Sequence, residues 1–395
     1  MQKLLIIGGS ILQLPAIKLA KELGYYTIIA DYDPNAIGIK YADEYHNVST
    51  IDEIGITQLA QHLKPDGIMT LATDMPMRSI AKATTTLGLA GIGYDTAVKS
   101  TDKGEMIKAF EAYGVEHPWY YIIKDKEQFN KVLSCIKFPC IIKPTDNAGN
   151  RGVTYAANKK ELIESYDYSY SNSRSGNVII EEYMSGREVS VEIIVVDSVV
   201  NIIAITDKQT LGIPHFVEVG HSQQSQLKYE DISKIKDLAI RAVQAIGINN
   251  SPAHVEIMLT DDGPKMVELG ARLGGGCITT HLVPLSTGVD MIKAVIDLSL
   301  GKKPDISPKF DKGSALLHIT NVEGIIKHIS GIEDAMKIEG VQEVTLLKEE
   351  GDEVHYFKNG SDRIGYVIAQ GVDAKDALIK CEKALQLINI ETINI

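Results

Sequence analysis

Cysteine is scarce in this chain of 395 residues. Its four, Cys135, Cys140, Cys277 and Cys381, show neither the Cys-x-x-Cys of a redox motif nor zinc-type spacing, and they read as reduced thiols of a cytoplasmic protein. Long apolar stretches are missing too: no run of 18 such residues occurs, so no membrane-spanning helix is expected. The first ten residues enter a strand pattern directly and lack the apolar region of a signal peptide. Positive charge is outnumbered, with 40 Lys and Arg against 52 Asp and Glu. The net charge of −12 argues against nucleic acid as a partner, although a local basic site can still hold an anionic ligand. What remains, 44% hydrophobic and 23% charged, is the composition of a soluble globular protein. It is too long for one core, and roughly two to four domains are expected.

The most informative stretch is 254–276. Asp261-Asp262-Gly263 is a turn signal between two apolar-rich runs and predicts a β-hairpin with its tip near residue 262. Glu256 then faces Glu268 and Met258 faces Met266, while Val255, Ile257, Leu259, Val267 and Leu269 share the opposite, apolar face. Two opposed carboxylates about 5 Å apart repel each other. A divalent cation relieves that repulsion, and hard oxygen ligands suit Mg²⁺. A solvated sheet face that carries acids by chance is the alternative.

Along the chain, residues 1–100 alternate strand and helix patterns, which implies a parallel sheet with helices on both faces. Strands are expected at 3–7, 26–31, 67–71 and 89–91, and helices at 12–23 and about 75–87. A helix over 101–113 takes Thr101 or Asp102 as its N-cap. Residues 114–185 read as an α+β unit with strands at 120–123, 140–143 and 178–182. Strands dominate 187–221, a helix spans 230–246, and the acidic hairpin follows. Gly301-Lys302-Lys303-Pro304-Asp305 is a plausible boundary before a tail of strands and a closing amphipathic helix, 374–387.

Three more segments carry chemistry. Strand 140–143 delivers Lys143 into the loop Pro-Thr-Asp-Asn147-Ala-Gly149-Asn-Arg-Gly152, whose glycines let backbone N–H groups surround a bulky anion. The spacing is not that of a Walker loop, and a turn beside an exposed lysine is the alternative. In Glu181-Glu182-Tyr183-Met184-Ser-Gly-Arg-Glu188, the strand end can offer backbone hydrogen bonds to an adenine edge, with Tyr183 and Met184 lining an apolar slot and Glu188 facing ribose. Ordinary strand-end charges are the alternative there. Glu218-Val-Gly-His221 presents a histidine at a strand end, either facing the substrate or a satisfied structural residue, and Gly274-Gly275-Gly276 after Arg272 can form an anion nest or a flexible loop. Gly8-Gly9-Ser10 with Asp31 imitates a dinucleotide fingerprint but lacks its glycine spacing.

Taken in order, the strand lysine with its glycine loop, the Glu-Glu-Tyr-x-x-Gly-x-Glu run and the two-carboxylate hairpin ending in Gly-Ala-Arg resemble the ATP-grasp superfamily. The resemblance is nearest to carboxylate–amine ligases of the L-amino-acid ligase kind, and it covers essentially the whole chain. It implies a multidomain α/β and α+β protein with an ATP-grasp fold. A Rossmann-like parallel-sheet domain would occupy 1–100. The ATP-grasp domain would occupy 101–305, with a lid at about 114–185 and a metal-binding part at about 186–305, and a small α+β domain would occupy 306–395. In this reading Lys103 and Lys143 contact nucleotide phosphates, and the loop containing Asn147, Gly149 and Gly152 closes over them. Glu181, Glu182, Tyr183 and Met184 form the adenine hinge, and Glu188 binds ribose. Glu256 and Glu268 hold Mg²⁺ (or Mn²⁺). Arg272 stabilises the transferring phosphoryl group, with a structural ion pair as its alternative. Glu218, His221, Arg272, Gly274 and Gly275 face the substrate.

Many relatives carry Asn two residues after the second acid, as a further metal ligand; here Gly270 stands there. The implied reaction joins a small-molecule carboxylate, such as an amino acid, to an amine through an acyl phosphate, in a homodimer. Alternatives are phosphoribosylamine–glycine ligase chemistry, a carboxyphosphate-forming enzyme and a non-catalytic ATP sensor.

Overall fold

The computed structural model describes residues 1–149, 151–213, 216–320, 322–356 and 362–393. Asn150, inside the glycine loop, and His215, at the head of the Glu218–His221 segment, lie outside the described residues.

The N-terminal strands Lys3–Ile7, Tyr26–Asp31, Glu44–Asn47 and Gly67–Met69 form a parallel sheet. Strand Lys3–Ile7 lies between Tyr26–Asp31 and Gly67–Met69. Their apolar runs are buried on both faces. Leu5, Ile7 and Ile28 pack with Ile56, Ala60 and Ile80, while Leu4, Ile6 and Ile29 pack with Ile17 and Ala20 on the other side. The helix Met77–Leu87 ends on Gly88 at φ +68°, and the Leu89 N–H closes it by donating to the Thr84 carbonyl at 2.9 Å. That capping bond consumes the amide a ladder would need, and residues 89–91 are irregular rather than the expected strand. Asp102, not Thr101, caps the helix Lys103–Ala112, accepting from the Gly104 and Glu105 amides.

A second, antiparallel sheet orders its strands Tyr120–Ile123, Val178–Glu182, Cys140–Pro144 and Thr154–Ala156. Ile123, Ile142 and Ile180 meet Phe129, Leu162 and Tyr166 of the helices Lys126–Val132 and Lys159–Ser171 in its core.

The largest sheet has eight antiparallel strands, running Gly263–Gly270, Ser251–Thr260, Arg187–Val196, Val199–Thr210, Glu218–Gln223, Gly313–Ile319, Gly365–Gly371 and Val341–Leu346. It therefore continues across 301–305: Gly220 to Gln223 pair with Ser314 to Leu317. Period-two alternation decides its faces. Val189, Val191, Ile193, Val255 and Ile257 pack under the helix Tyr229–Ile246. Glu188, Ser190, Glu192, His254 and Glu256 alternate with them and turn to the opposite side.

The hairpin pairs Glu256 with Glu268 as expected, and Asp261-Asp262 form its tip. Past that pair the register shifts, so Met266 faces Ile257, and Met258 faces Lys265. The expected Met258–Met266 pairing is therefore corrected. Its cause lies outside the hairpin: the Met266 N–H donates to the Glu116 carbonyl at 2.9 Å. The bulge turns Met266 into the core in place of Val267.

A carboxylate and ammonium cluster as candidate active site

The two opposed acids do not lean on each other. Each has its own ammonium partner. Lys103, at the start of its helix, reaches Glu268 Oε2 at 3.1 Å and donates to the Asn147 carbonyl at 3.0 Å. Lys208, only 4% exposed, meets Glu256 at 3.4 Å and Glu218 at 2.9 Å, and it also pairs with Glu188. Burial works against these charges, and the partners outweigh it. Glu268 raises Lys103, and Glu256, Glu188 and Glu218 raise Lys208 well above the usual lysine range. In turn Glu256, opposed by burial but favoured by Lys208 and His254, is held far below the usual carboxylate range. Glu218 is held well below it by Lys208 and His221.

Arg272 faces both acids from the end of the hairpin, and its guanidinium is bidentate to Asp74, with Nε and Nη2 each 3.0 Å from a carboxylate oxygen. Asp74 comes from the loop after strand Gly67–Met69, so the pair ties the parallel-sheet region to the hairpin. It also accounts for Gly270. A Cβ there would lie 2.5 Å from Asp74 Oδ1 and 3.0 Å from Arg272 Nε, which leaves no room for the asparagine of other family members.

From the second sheet, Lys143 and Glu181 form a buried pair at 2.6 Å. A crevice lined by Lys103, Phe110, His117, Glu181, Met266 and Val267 joins this pair to the hairpin. A larger cavity, formed by residues 89–93 with Gly247, Asn249 and Asn250, contains no titratable side chain and lies apart from the cluster. Glu182 turns away from Glu181 to Lys265, 3.0 Å from both carboxylate oxygens. Tyr183 meets Tyr155 edge-on at 5.0 Å and Phe216 at 6.0 Å, an aromatic group beside Met184 in sequence. The Asn147 side chain is already committed, donating to the Asn172 carbonyl at the end of helix Lys159–Ser171 and accepting from the Ala148 amide, which leaves its backbone to meet Lys103. Gly149 at φ +67° has open space at its Cβ position, whereas a Cβ on Gly152, at φ +80°, would sit 2.7 Å from Pro144 Cγ.

On the expected substrate side, His221 is fully buried with neither ring nitrogen in a hydrogen bond, although its Nε2 is 3.5 Å from Glu218 Oε2. Gly276 packs against it, a Cβ there coming 3.2 Å from Nε2. Arg363, from the tail, reaches Glu218 at 3.5 Å.

Sequence reasoning assigned no role to Asp74, Glu192, Lys208, His254 or Arg363. A signal for Glu192 was present: it is an isolated charge in an otherwise apolar strand run, a placement that requires a partner. His254 bridges two acids, with Nδ1 at 2.9 Å from Glu192 and Nε2 at 3.1 Å from Glu256. Although burial opposes the charge, Glu192 and Glu256 raise it to about 9.

Comparison with known proteins matches two parts of the chain to family models. A model described as an ATP-grasp domain matches residues 136–281, and one described as L-amino acid ligase C-terminal domain 2 matches 318–392. The chain contains an ATP-grasp domain. Alanine–anticapsin ligase of Bacillus subtilis (strain 168) is 28% identical over 317 residues, covering 74% of this chain and 66% of that protein. The chain thus spans just under two thirds of that relative's length. The crystal structure of L-amino acid ligase from Bacillus licheniformis superposes with a TM-score of 0.86 at 21% identity, covering 100% of this chain and 99% of that one. Phosphoribosylglycinamide synthetase from Anaerococcus prevotii gives 0.80 at 27%, covering 99% and 100%.

Proposed function

We propose that this ATP-grasp protein is an ATP- and Mg²⁺-dependent carboxylate–amine ligase, forming an amide or peptide bond through an acyl phosphate and releasing ADP and phosphate. The observation that carries this reading is the Glu256–Glu268 pair, ionised in a partly buried site and matched by Lys103, Lys208 and Arg272. Two charged carboxylates on opposed strands suit a hard divalent cation, so the residues present fit the group. When bound, Mg²⁺ (or Mn²⁺) supplies charge neutralisation at the phosphates.

The chain's own groups do the rest. Lys143 and Lys103 hold phosphate oxygens, and Arg272, fixed by Asp74, meets the charge that grows on the transferring phosphoryl group. The loop containing Gly149 and Gly152 closes over the phosphates and excludes the water that would hydrolyse an acyl phosphate. Positioning and charge stabilisation suffice for such chemistry, and no nucleophile–base pair is required of the protein. The names of the alanine–anticapsin and L-amino acid ligase relatives favour amino acids as substrates.

Phosphate release from ATP and Mg²⁺ against amino acids, singly and in pairs, with mass spectrometry of the products, tests the proposal. Release that depends on a pair, with a dipeptide mass, is expected. ATP binding without release for any pair would favour the sensor reading.

A further inference from the structure

We propose that the buried pair Glu192–His254 is a positioning device for Glu256, orienting its carboxylate for the divalent cation, and that residue 274 is glycine so that this pair can form. The inference rests on the reading of Glu256 and Glu268 as metal ligands.

Glu192 is fully buried, where an unpartnered carboxylate is strongly disfavoured. Its oxygens are therefore committed. Ser190 Oγ donates to Oε1 at 2.9 Å, and His254 Nδ1 lies 2.9 Å from Oε1 and 3.1 Å from Oε2. The imidazole is thereby fixed in its plane, and its Nε2 meets Glu256 Oε1 at 3.1 Å. One Glu256 oxygen is held by this relay while Oε2 faces Lys208. A long carboxylate side chain that would otherwise sample several rotamers is thus ordered before any ligand arrives. Residues that orient metal ligands from behind in this way change metal affinity without touching the metal.

The register explains how two strands deliver the relay. His254 is the cross-strand partner of Glu192, and Glu256 is that of Ser190. Gly274 lies over the joint: a Cβ there would come 2.6 Å from His254 Nδ1 and 3.0 Å from Glu192 Oε2. At Gly275, by contrast, nothing lies within 4 Å of the Cβ position. The first glycine of the run is therefore required by the relay, a different role from the anion nest that the run suggests in sequence.

Mn²⁺ binding to the full chain in the presence of ADP, followed by electron paramagnetic resonance, tests the inference. His254→Asn and Gly274→Ala are each expected to weaken Mn²⁺ binding about 10–100-fold. ADP affinity measured without metal should stay within about twofold of the parent, which a merely damaged fold would not allow. Glu192→Gln keeps the shape and one acceptor oxygen and is expected to lose less. Gly274→Ala removes no polar group, so it decides the matter if His254→Asn does not fold. Variants that bind Mn²⁺ as tightly as a binding-competent parent overturn the inference alone. A parent that binds no Mn²⁺ overturns the assignment of Glu256 and Glu268, and the relay with it.

Discussion

The eight-stranded and the four-stranded sheets both bring charge to the candidate site, but they hold it differently. On the larger sheet the charges are shared. Lys208 serves Glu188, Glu218 and Glu256, Glu256 meets both Lys208 and His254, and Glu218 adds contacts to His221 and Arg363. On the smaller sheet they pair off, Lys143 with Glu181, and Glu182 with Lys265 from the hairpin of the larger sheet. A shared network sets many side-chain positions at once, so its members cannot be exchanged singly. A pair can be replaced as a unit. The difference suits the roles proposed for the two sheets: one is a fixed charge framework, and the other carries a loop that has to move over a nucleotide.

The largest effect is expected where the network is cut. Glu268→Gln removes a ligand charge and leaves Lys103 buried beside a neutral amide, and Mg²⁺-dependent phosphate release should fall by about 10²–10³-fold. Turnover left intact would mean that the hairpin holds no catalytic cation. The pair should behave otherwise. Lys143→Ala strands Glu181 in a dry site, at a cost of about 3–5 kcal/mol in urea denaturation. The double variant Lys143→Met/Glu181→Leu should recover most of that stability while ATP binding stays weak. A double variant as unstable as the single one would show that the second sheet is networked too.

The smallest effect concerns the far end of the large sheet, where His281 and Glu343 lie 3.3 Å apart. Hydrogen bonds to the Cys277 side chain and to Glu343 raise His281 to about 10. A histidine raised on folding contributes stability that is complete below its unfolded value of about 6.5 and is lost as the pH climbs through the folded value. The melting temperature should therefore decline between about pH 6.5 and 10, and His281→Gln should flatten that decline.

Legibility in the sequence followed locality. The alternating pattern of residues 1–100, the Glu256–Glu268 register and the closing helix Ala374–Leu387 were readable because period and turn chemistry act over a few residues. The strands Glu44–Asn47 and Gly324–Ser330 were missed; their mixed polar and apolar residues carry no clear period. The bulge at Met266 could not be read because its cause, the Glu116 carbonyl, is 150 positions away. Within the site, the side chains on the hairpin and beside the glycine loop announced themselves as motifs. Asp74, Lys208 and Arg363 did not, because each acquires its meaning only from a partner brought in by the tertiary fold. Gly270 was legible as a departure from the family pattern, but its reason was not, since Asp74 supplies it from a loop nearly 200 positions away.

The strand Gly313–Ile319 hydrogen-bonds directly to Glu218–Gln223 in one continuous sheet. Its consequence reaches beyond catalysis, to how such a protein can be taken apart or recombined. A gene cut at 301–305 would not release two self-sufficient modules. It would strip the flank from the very strand that carries Glu218 and His221, leaving an open edge prone to join another chain. Exchange of the tail between relatives is therefore a change to the site's own scaffold, and chimeras are expected to succeed only when strand and tail are inherited together.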